Sequence, residues 1–525
     1  MRARPVFARE ATGLVRQFSA FDAFVISSAA VAPGIWSIAL QDFSVASAYP
    51  GADFVGSMHI GVLFMLPLAV TYVLLSMCMP RSGGDYVWIS RLFHGVIGFM
   101  AGWAFWITCV MIVGASGVLW PTVFLNISLA TIGYATGNAA LVGLASSILS
   151  NVYVSFAFGL PFIVLACIVS ALGPKNFARV MAVLFGLVLL STIIGIGVLA
   201  TSSHADFVAA MNGYGGTNIS YDGIMNSAKS AGWSFTPESW GITLTSVPFA
   251  IFILTGFNYS SAAAGEIKRV KTSMLYAIVG SLIATWLMVV VGCQLTVNVF
   301  GYNFLEAVVT LGSNWPLAAA PWAPTFISML IHNLPLLILF QAGWLVEQLW
   351  CQAAFLIVAT RYIFAFSFDR VLPTKFSNVN ERLHFPLNAT VLSFIAALIF
   401  LVLTTFTTLI GQYLNVTAIA VLVWALGSAV AIILPYKKKE IAASLPGAKW
   451  KVPFITIVGA FSMVLMLIAF YFAVTTPGVG PSTPGSNAIM VGIFLSGALI
   501  YGVSYAIRKK QGLDFSLAFS EIPPE

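Results

Sequence analysis

At 525 residues with 59% hydrophobic side chains, 8% charged ones and a mean hydropathy of +0.96, the chain falls outside the soluble globular class, in which about a quarter of residues are charged. Its apolar residues run in continuous stretches of about twenty, as hydrocarbon-spanning helices require, and do not alternate in strands of about ten, which excludes a β-barrel. The class this predicts is an all-α membrane protein embedded in a lipid bilayer.

In chain order, apolar runs bounded by charges, Gly and Pro predict spans over 20–41, 56–79, 96–125, 148–171, 176–201 and 243–264. The same length criterion predicts 274–299, 325–366, 387–408, 413–435, 453–475 and 487–507, twelve spans in all, with both ends on one side. On this count all but Lys229 of the 24 Lys and Arg fall on that side. Positive charge crowds cytoplasmic loops, so both termini are expected in the cytoplasm of a multi-pass cell-membrane protein. The net charge of +7 then reflects orientation, and no nucleic-acid partner is implied. Arg2, Arg4, Arg9 and Arg16 precede a first span without a small-residue cleavage site, which reads as a retained helix.

The outer segment His204–Trp240 is long and rich in Gly, Asn and Ser, while Tyr302–Trp322 carries apolar residues expected to form a helix at the outer mouth. Whether that second segment is a lid or an ordered surface loop stays open. Gly478–Ser486 reads as a turn and Gln511–Glu525 as a short tail. The five cysteines, Cys78, Cys109, Cys167, Cys293 and Cys351, sit in apolar runs without metal or redox spacing and read as small hydrophobes. His59, His94, His204, His332 and His384 are mutually remote and form no metal or catalytic motif. No cofactor, metal or enzymatic activity is expected.

Two spans carry breaks. Pro33, in Ala32-Pro33-Gly34, removes a backbone donor within the first. Thr255, Gly256, Phe257, Asn258, Tyr259, Ser260 and Ser261 place a glycine and polar groups midway through the sixth. A single proline kink is common in membrane helices. Two breaks separated by five helices instead match an inverted five-plus-five repeat, whose half-helix ends hold substrate at the bilayer midplane. The positive ends of such half-helices suit an anionic substrate group.

Glu347 is the one carboxylate read as lying well inside an apolar run. It precedes Arg361 by fourteen residues, which is about 21 Å of helix. An intramembrane acid is a functional-site candidate for carrying a proton or meeting a cationic substrate; the bland alternative is a structural carboxyl bonded to Gln348 or Gln341. Asp22, Asp85, Glu266 and Asp369 lie at cytoplasmic helix ends and read first as interfacial charge pairs, with Asp22, Asp85 and Glu266 as candidates for an inner gate. Trp103, Trp106 and Trp120 read mostly as packing and interfacial anchors, with Trp106 as a candidate pocket wall.

Met79-Pro80-Arg81-Ser82-Gly83-Gly84-Asp85-Tyr86-Val87-Trp88 resembles the P-x-S-G-G-x-Y signature of amino acid permeases in the amino acid-polyamine-organocation superfamily. Gly256-Phe257 with Glu266-Ile267-Lys268 is similar to that family's sixth-helix pattern. Arg361, Ala365, Asp369, Leu372 and Pro373 resemble its R-x3-A-x3-D-x2-L-P run, and Gly512-Leu513-Asp514 with Glu521–Glu525 resembles the tail of many members.

The resemblance implies a LeuT-type fold with broken helices 1 and 6, two additional C-terminal helices and alternating access, with the substrate's amino and carboxyl groups held by backbone at the breaks. By position, Val31, Ala32, Pro33, Gly34 and Ile35 form one wall and Phe252, Thr255, Gly256, Phe257 and Asn258 the other. Where the family has a G-S-G run this chain has Ala32 and Pro33, and Pro33 has no N–H to donate. Sodium-coupled relatives use hydroxyls on helix eight, whereas Met329–Ala359 contains no Ser or Thr; the lysine of many proton-driven relatives falls at Leu187-Val188-Leu189 and is absent. Glu347 remains as the coupling candidate.

The expected organisation is an N-terminal segment 1–19, a first repeat 20–201, an outer loop 202–242, a second repeat 243–435, two further helices in 453–507 and a tail 508–525. The function this implies is secondary transport of an amino acid with a proton or other coupling ion, by symport or exchange. A polyamine or organic-cation carrier and a transport-poor nutrient receptor are the alternatives.

Overall fold

The computed structural model describes residues 14–380, 382, 384–476, 480–512 and 517–520. Arg2, Arg4, Arg9, the start of the Gly478–Ser486 turn, and Leu513, Asp514 and Glu521–Glu525 of the tail lie outside these. The described residues form helices and three isolated β-bridges.

The first span is two consecutive helices. α1 (Ala20–Val31) starts at a capping box, in which the Ser19 hydroxyl accepts from Asp22 N–H and the Asp22 carboxylate accepts from Ser19 N–H. It ends at Ala32, whose φ of 44° is left-handed. Pro33 cannot supply the next ladder donor, and the helix resumes as α2 (Ile35–Ala48). α3 (Phe54–Cys78) follows, capped by Asp53, then the short α4 (Asp85–Leu92). α5 (Gly95–Leu119) passes through a π-helical turn at Trp120–Leu125 into α6 (Asn126–Thr136), because Pro121 interrupts the ladder there. α7 (Ala139–Ser150), α8 (Val152–Ser170) and α9 (Pro174–Thr201) complete the first half.

The segment between them and the second half holds α10 (His204–Met211) and α11 (Tyr221–Ser230). The sixth predicted span is regular only over α12 (Trp240–Ile253). From Leu254 to Glu266, the stretch read as the break of that span, the chain runs through a turn at Gly256 (φ 103°) and two 3₁₀ turns. Glycine tolerates that φ, and the Thr255 hydroxyl donates to the Phe252 carbonyl at 2.7 Å, so the α-helical ladder does not continue.

α13 (Val270–Met274) and α14 (Gly280–Phe300) make one span across a π-helical turn. α15 (Tyr302–Leu311) is the helix expected within 302–322, with Phe304, Leu305, Ala307, Val308 and Leu311 buried. The predicted run 325–366 is two elements, α16 (Ala323–Leu330) and α17 (Leu334–Phe368). Pro335 disfavours helix at the residue before it, and Asn333 caps α17 by accepting from Leu336 N–H at 3.0 Å. α18 (Leu387–Phe406), α19 (Leu409–Tyr413), α20 (Val416–Lys437), α21 (Lys439–Ala442), α22 (Phe454–Thr475), α23 (Pro484–Lys510) and α24 (Leu517–Ser520) end the chain.

Among the described residues, eleven helical segments are long and apolar enough to cross a membrane. Their burial sorts them by position: 94% of the apolar window of α17 is covered by protein, against 17% for α23. α17 is therefore the axis of the packing. Exposed Leu63, Val183, Ile193, Ile399, Leu495 and Leu499 form the kind of outer apolar surface that hydrocarbon solvates.

Candidate functional site: two helix breaks around a buried cavity

The break in the first span receives a carboxylate. Trp36 N–H, at the start of α2, donates to both oxygens of Glu347 at 3.3 Å each. Gly34 makes the approach possible, since a Cβ there would lie 2.1 Å from Glu347 Oε1. The first N–H groups of a helix lack intrahelical acceptors and carry its positive dipole end, so a carboxylate is at home there. The partner of Glu347 is thus the helix break, and not Gln348 or Gln341 as the bland alternative had it. Gln341 is instead bound between Ser128, which donates to its Oε1 at 2.7 Å, and Ser328, which accepts from its Nε2 at 2.8 Å.

The second break touches the first. A Cβ on Gly256 would lie 2.6 Å from the Ala30 methyl, and the Ser27 hydroxyl donates to Ser260 at 2.8 Å. Above that contact a cavity of 320 Å³ opens between the breaks, α5 and α17. Of the sequence-predicted wall, Val31, Ala32, Phe252 and Thr255 line it. Pro33, Gly34, Ile35, Gly256, Phe257 and Asn258 form the breaks themselves and stay off its surface. Trp106 also stays off it, its indole N–H donating to Ser393 of α18 at 3.1 Å.

Sequence reasoning missed the remaining lining. Ala30 comes from α1, Trp36, Ser37 and Leu40 from α2, Ile112 and Leu119 from α5, Ile253 from α12, and Gln348, Cys351, Gln352 and Phe355 from α17. The last four recur at helical spacing beside Glu347, a signal that was readable as one face of a helix. Trp322, from the segment considered as a lid, lines the cavity as well, stacked on Phe43 at 4.1 Å and 5.5 Å from Trp36. The lining is mostly apolar with few polar groups, the usual make-up of a small-molecule site. A larger cavity of 590 Å³ lies between α4 and α23, near Arg91, His94 and Tyr501, apart from the breaks.

α2 also buries a second acid. Asp42 is 1% exposed and faces Thr296 and Cys293 of α14. Ending the first span at 41 left it outside the membrane on sequence grounds, so Glu347 is not the one deep carboxylate. The helix runs on to Ala48 and takes Asp42 inward.

On the face that carries α4 and the end of α17, two ion pairs are buried. Arg361 Nε and Nη2 donate to the Glu266 carboxylate at 2.6 and 2.7 Å. Arg91 Nη1 and Nη2 donate to Asp369 at 2.6 and 2.7 Å, and the Tyr86 hydroxyl adds a bond of 2.6 Å to the same carboxylate. Backbone joins them: Gln17 and Phe18 N–H donate to Glu266 O at 2.9 and 3.0 Å, and Gly83 N–H to Ala262 O at 2.9 Å. Of the expected gate residues, Glu266 belongs to this layer. Asp22 sits in the cap of α1, and Asp85 is buried at the start of α4 facing Tyr72 and Tyr362.

Burial pushes the Asp85 carboxyl up from 3.8 to about 7, against the lowering effect of the Tyr72 and Tyr362 phenols. The folded protein therefore holds this proton to higher pH than the unfolded chain does. Its contribution to stability is full below the ordinary carboxyl range and is lost as pH rises toward about 7. The melting temperature of the detergent-purified protein is expected to fall between about pH 5 and 7, and Asp85→Asn to flatten that slope. An equal slope in wild type and variant contradicts the assignment.

Residues 18–496 match the family described as amino acid permease. The branched-chain amino acid permease BcaP of Lactococcus lactis subsp. cremoris is 25% identical over 439 residues, covering 81% of this chain and 83% of the relative. A shorter likeness, 27% identity over 121 residues, is to Uncharacterized protein 399 of Sulfolobus islandicus rod-shaped virus 1, and covers 23% of this chain and 29% of that one. With the match extending over nearly all of its length, on a helical frame of membrane-spanning segments, the chain belongs to the amino acid permease family of the amino acid-polyamine-organocation superfamily.

Proposed function

We infer that this permease is a secondary transporter that moves amino acids by alternating access, with a proton carried on Glu347. The observation that carries the reading is the pairing of Glu347 with Trp36 N–H at the break of the first helix, directly behind the cavity. α1 and α2 with the break between them supply the first of twelve spans in a LeuT-type arrangement, and α12 with the turns after it the sixth, with residues 20–201 and 243–435 as the repeats and both termini in the cytoplasm. The ion pairs Glu266–Arg361 and Arg91–Asp369 close the inner side in this arrangement.

An ionised carboxylate so deep, with no cation paired to it among the described residues, is costly to keep. Protonation removes that cost and releases the helix end, whose N–H groups then donate to the substrate's carboxylate. The relative named for branched-chain amino acids supports an amino acid as cargo. The cavity's lining contains no charged side chain, which favours this over a polyamine.

Uptake of labelled leucine into proteoliposomes under an imposed pH gradient tests the reading. Wild type is expected to accumulate leucine when the gradient is present, and Glu347→Gln to transport without responding to it. Flux that ignores both the gradient and the substitution overturns coupling through Glu347. The absence of any amino acid or amine movement favours a receptor instead.

A further inference from the structure

Gln348 and Gln352 stand one helical turn apart on α17, both buried and both lining the cavity between the breaks. Among the described residues, Gln348 Oε1 and both polar atoms of Gln352 have no hydrogen-bond partner. Gln341, two turns earlier on the same helix, has both ends of its amide satisfied by Ser128 and Ser328. An unpaired buried amide is destabilising, and native structures keep one chiefly where something else completes it.

We propose that the Gln348 and Gln352 side-chain amides are the specificity-determining contacts for the substrate's polar end, and that the cavity takes a neutral amino acid with a bulky apolar side chain. This rests on the amino acid transport reading above. The two amide oxygens accept from an ammonium group, and the Gln352 Nε2 adds a donor to the carboxylate that the released helix end receives. Neither amide carries charge, so a zwitterion is matched as a whole and a further side-chain charge is not. Val31, Leu40, Ile112, Phe252 and Trp322 leave a cationic or acidic side chain without a counter-charge or hydrogen bond, and they offer an aliphatic one dispersion contacts.

The test measures leucine, lysine and glutamate binding to the purified full-length protein, together with its melting temperature without ligand, for wild type, Gln352→Leu, Gln348→Leu and Gln352→Glu. Wild type is expected to bind leucine and to reject the two charged amino acids. Gln352→Leu is expected to weaken leucine binding by about tenfold to a hundredfold while the ligand-free protein melts no lower than wild type, because a lone buried amide has been replaced by an apolar group of similar size. A purely structural amide would give the opposite pair of results. Gln352→Glu places a carboxylate in the cavity and is expected to gain lysine binding, which keeps the proposal testable if the leucine variant does not fold.

Unchanged leucine affinity in both Gln→Leu variants, or a lowered melting temperature with intact affinity, overturns the proposal and leaves amino acid transport standing. A wild-type protein that binds no amino acid overturns both.

Discussion

Glu266→Ala is expected to lower the stability of the folded protein by about 3–5 kcal/mol, because it strands the Arg361 guanidinium in a fully buried site. Both side chains are 0% exposed, and the pair is bidentate. Arg361 also lies 4.7 Å from the Phe385 ring, and its Nη1 has no partner among the described residues, so the vacated carboxylate is not replaced by a neighbour. The single substitution removes the attraction and leaves the desolvation cost of the guanidinium in place. Glu266→Gln with Arg361→Met removes both charges and is expected to recover much of the loss, since breaking a buried pair costs more than replacing it whole. Heating the purified protein and following the fraction that remains monodisperse measures this. A loss under about 0.5 kcal/mol for Glu266→Ala would mean that water reaches the pair.

Substituting the glycines of the two breaks separates strain from displacement. Gly256 holds φ at 103°, which L-residues avoid, and an added Cβ would lie 2.6 Å from the Ala30 methyl and 2.9 Å from the Ala30 carbonyl carbon. Backbone cannot swing aside as a long side chain can, so Gly256→Ala is expected to cost about 2–6 kcal/mol from strain and overpacking together and to abolish uptake. Gly34 differs on both counts: its φ of −165° suits any residue, and the atoms in the way belong to the Glu347 carboxylate. Gly34→Ala is therefore expected to fold, to push Glu347 off Trp36 N–H, and to transport with a reduced response to pH. Comparing uptake and melting temperature for the two variants checks this contrast. A folded, fully active Gly256→Ala would show that the breaks do not need their close contact.

The breaks were legible because proline and glycine act through local rules: Pro33 lacks a donor wherever it sits, and Gly256 permits a φ that few residues share. The burial of Glu347 was legible from the apolar run around it. Its partner was not, because Trp36 and Glu347 are 311 residues apart and only packing brings them together. Asp42 was placed outside the membrane because the apolar run weakens at Gln41, while the helix itself continues to Ala48. The split of 325–366 into two helices was signalled by Pro335, but a continuous apolar run outweighed it. Hydrophobicity marks what lies in lipid, whereas the cavity's polar groups on α17 are shielded by protein and carry no such mark. Gln348 and Gln352 could be told from Gln341 only by their unmet hydrogen bonds.

The central claim, that substrate and proton share the site at the first helix break, is tested most directly by recording luminal pH in proteoliposomes loaded with a pH-sensitive dye while leucine is added outside. Acidification of the lumen with wild type and none with Glu347→Gln, which still takes up leucine, is the predicted result. Leucine entry by the wild-type protein without acidification, or equal acidification by the Glu347→Gln variant, would contradict it.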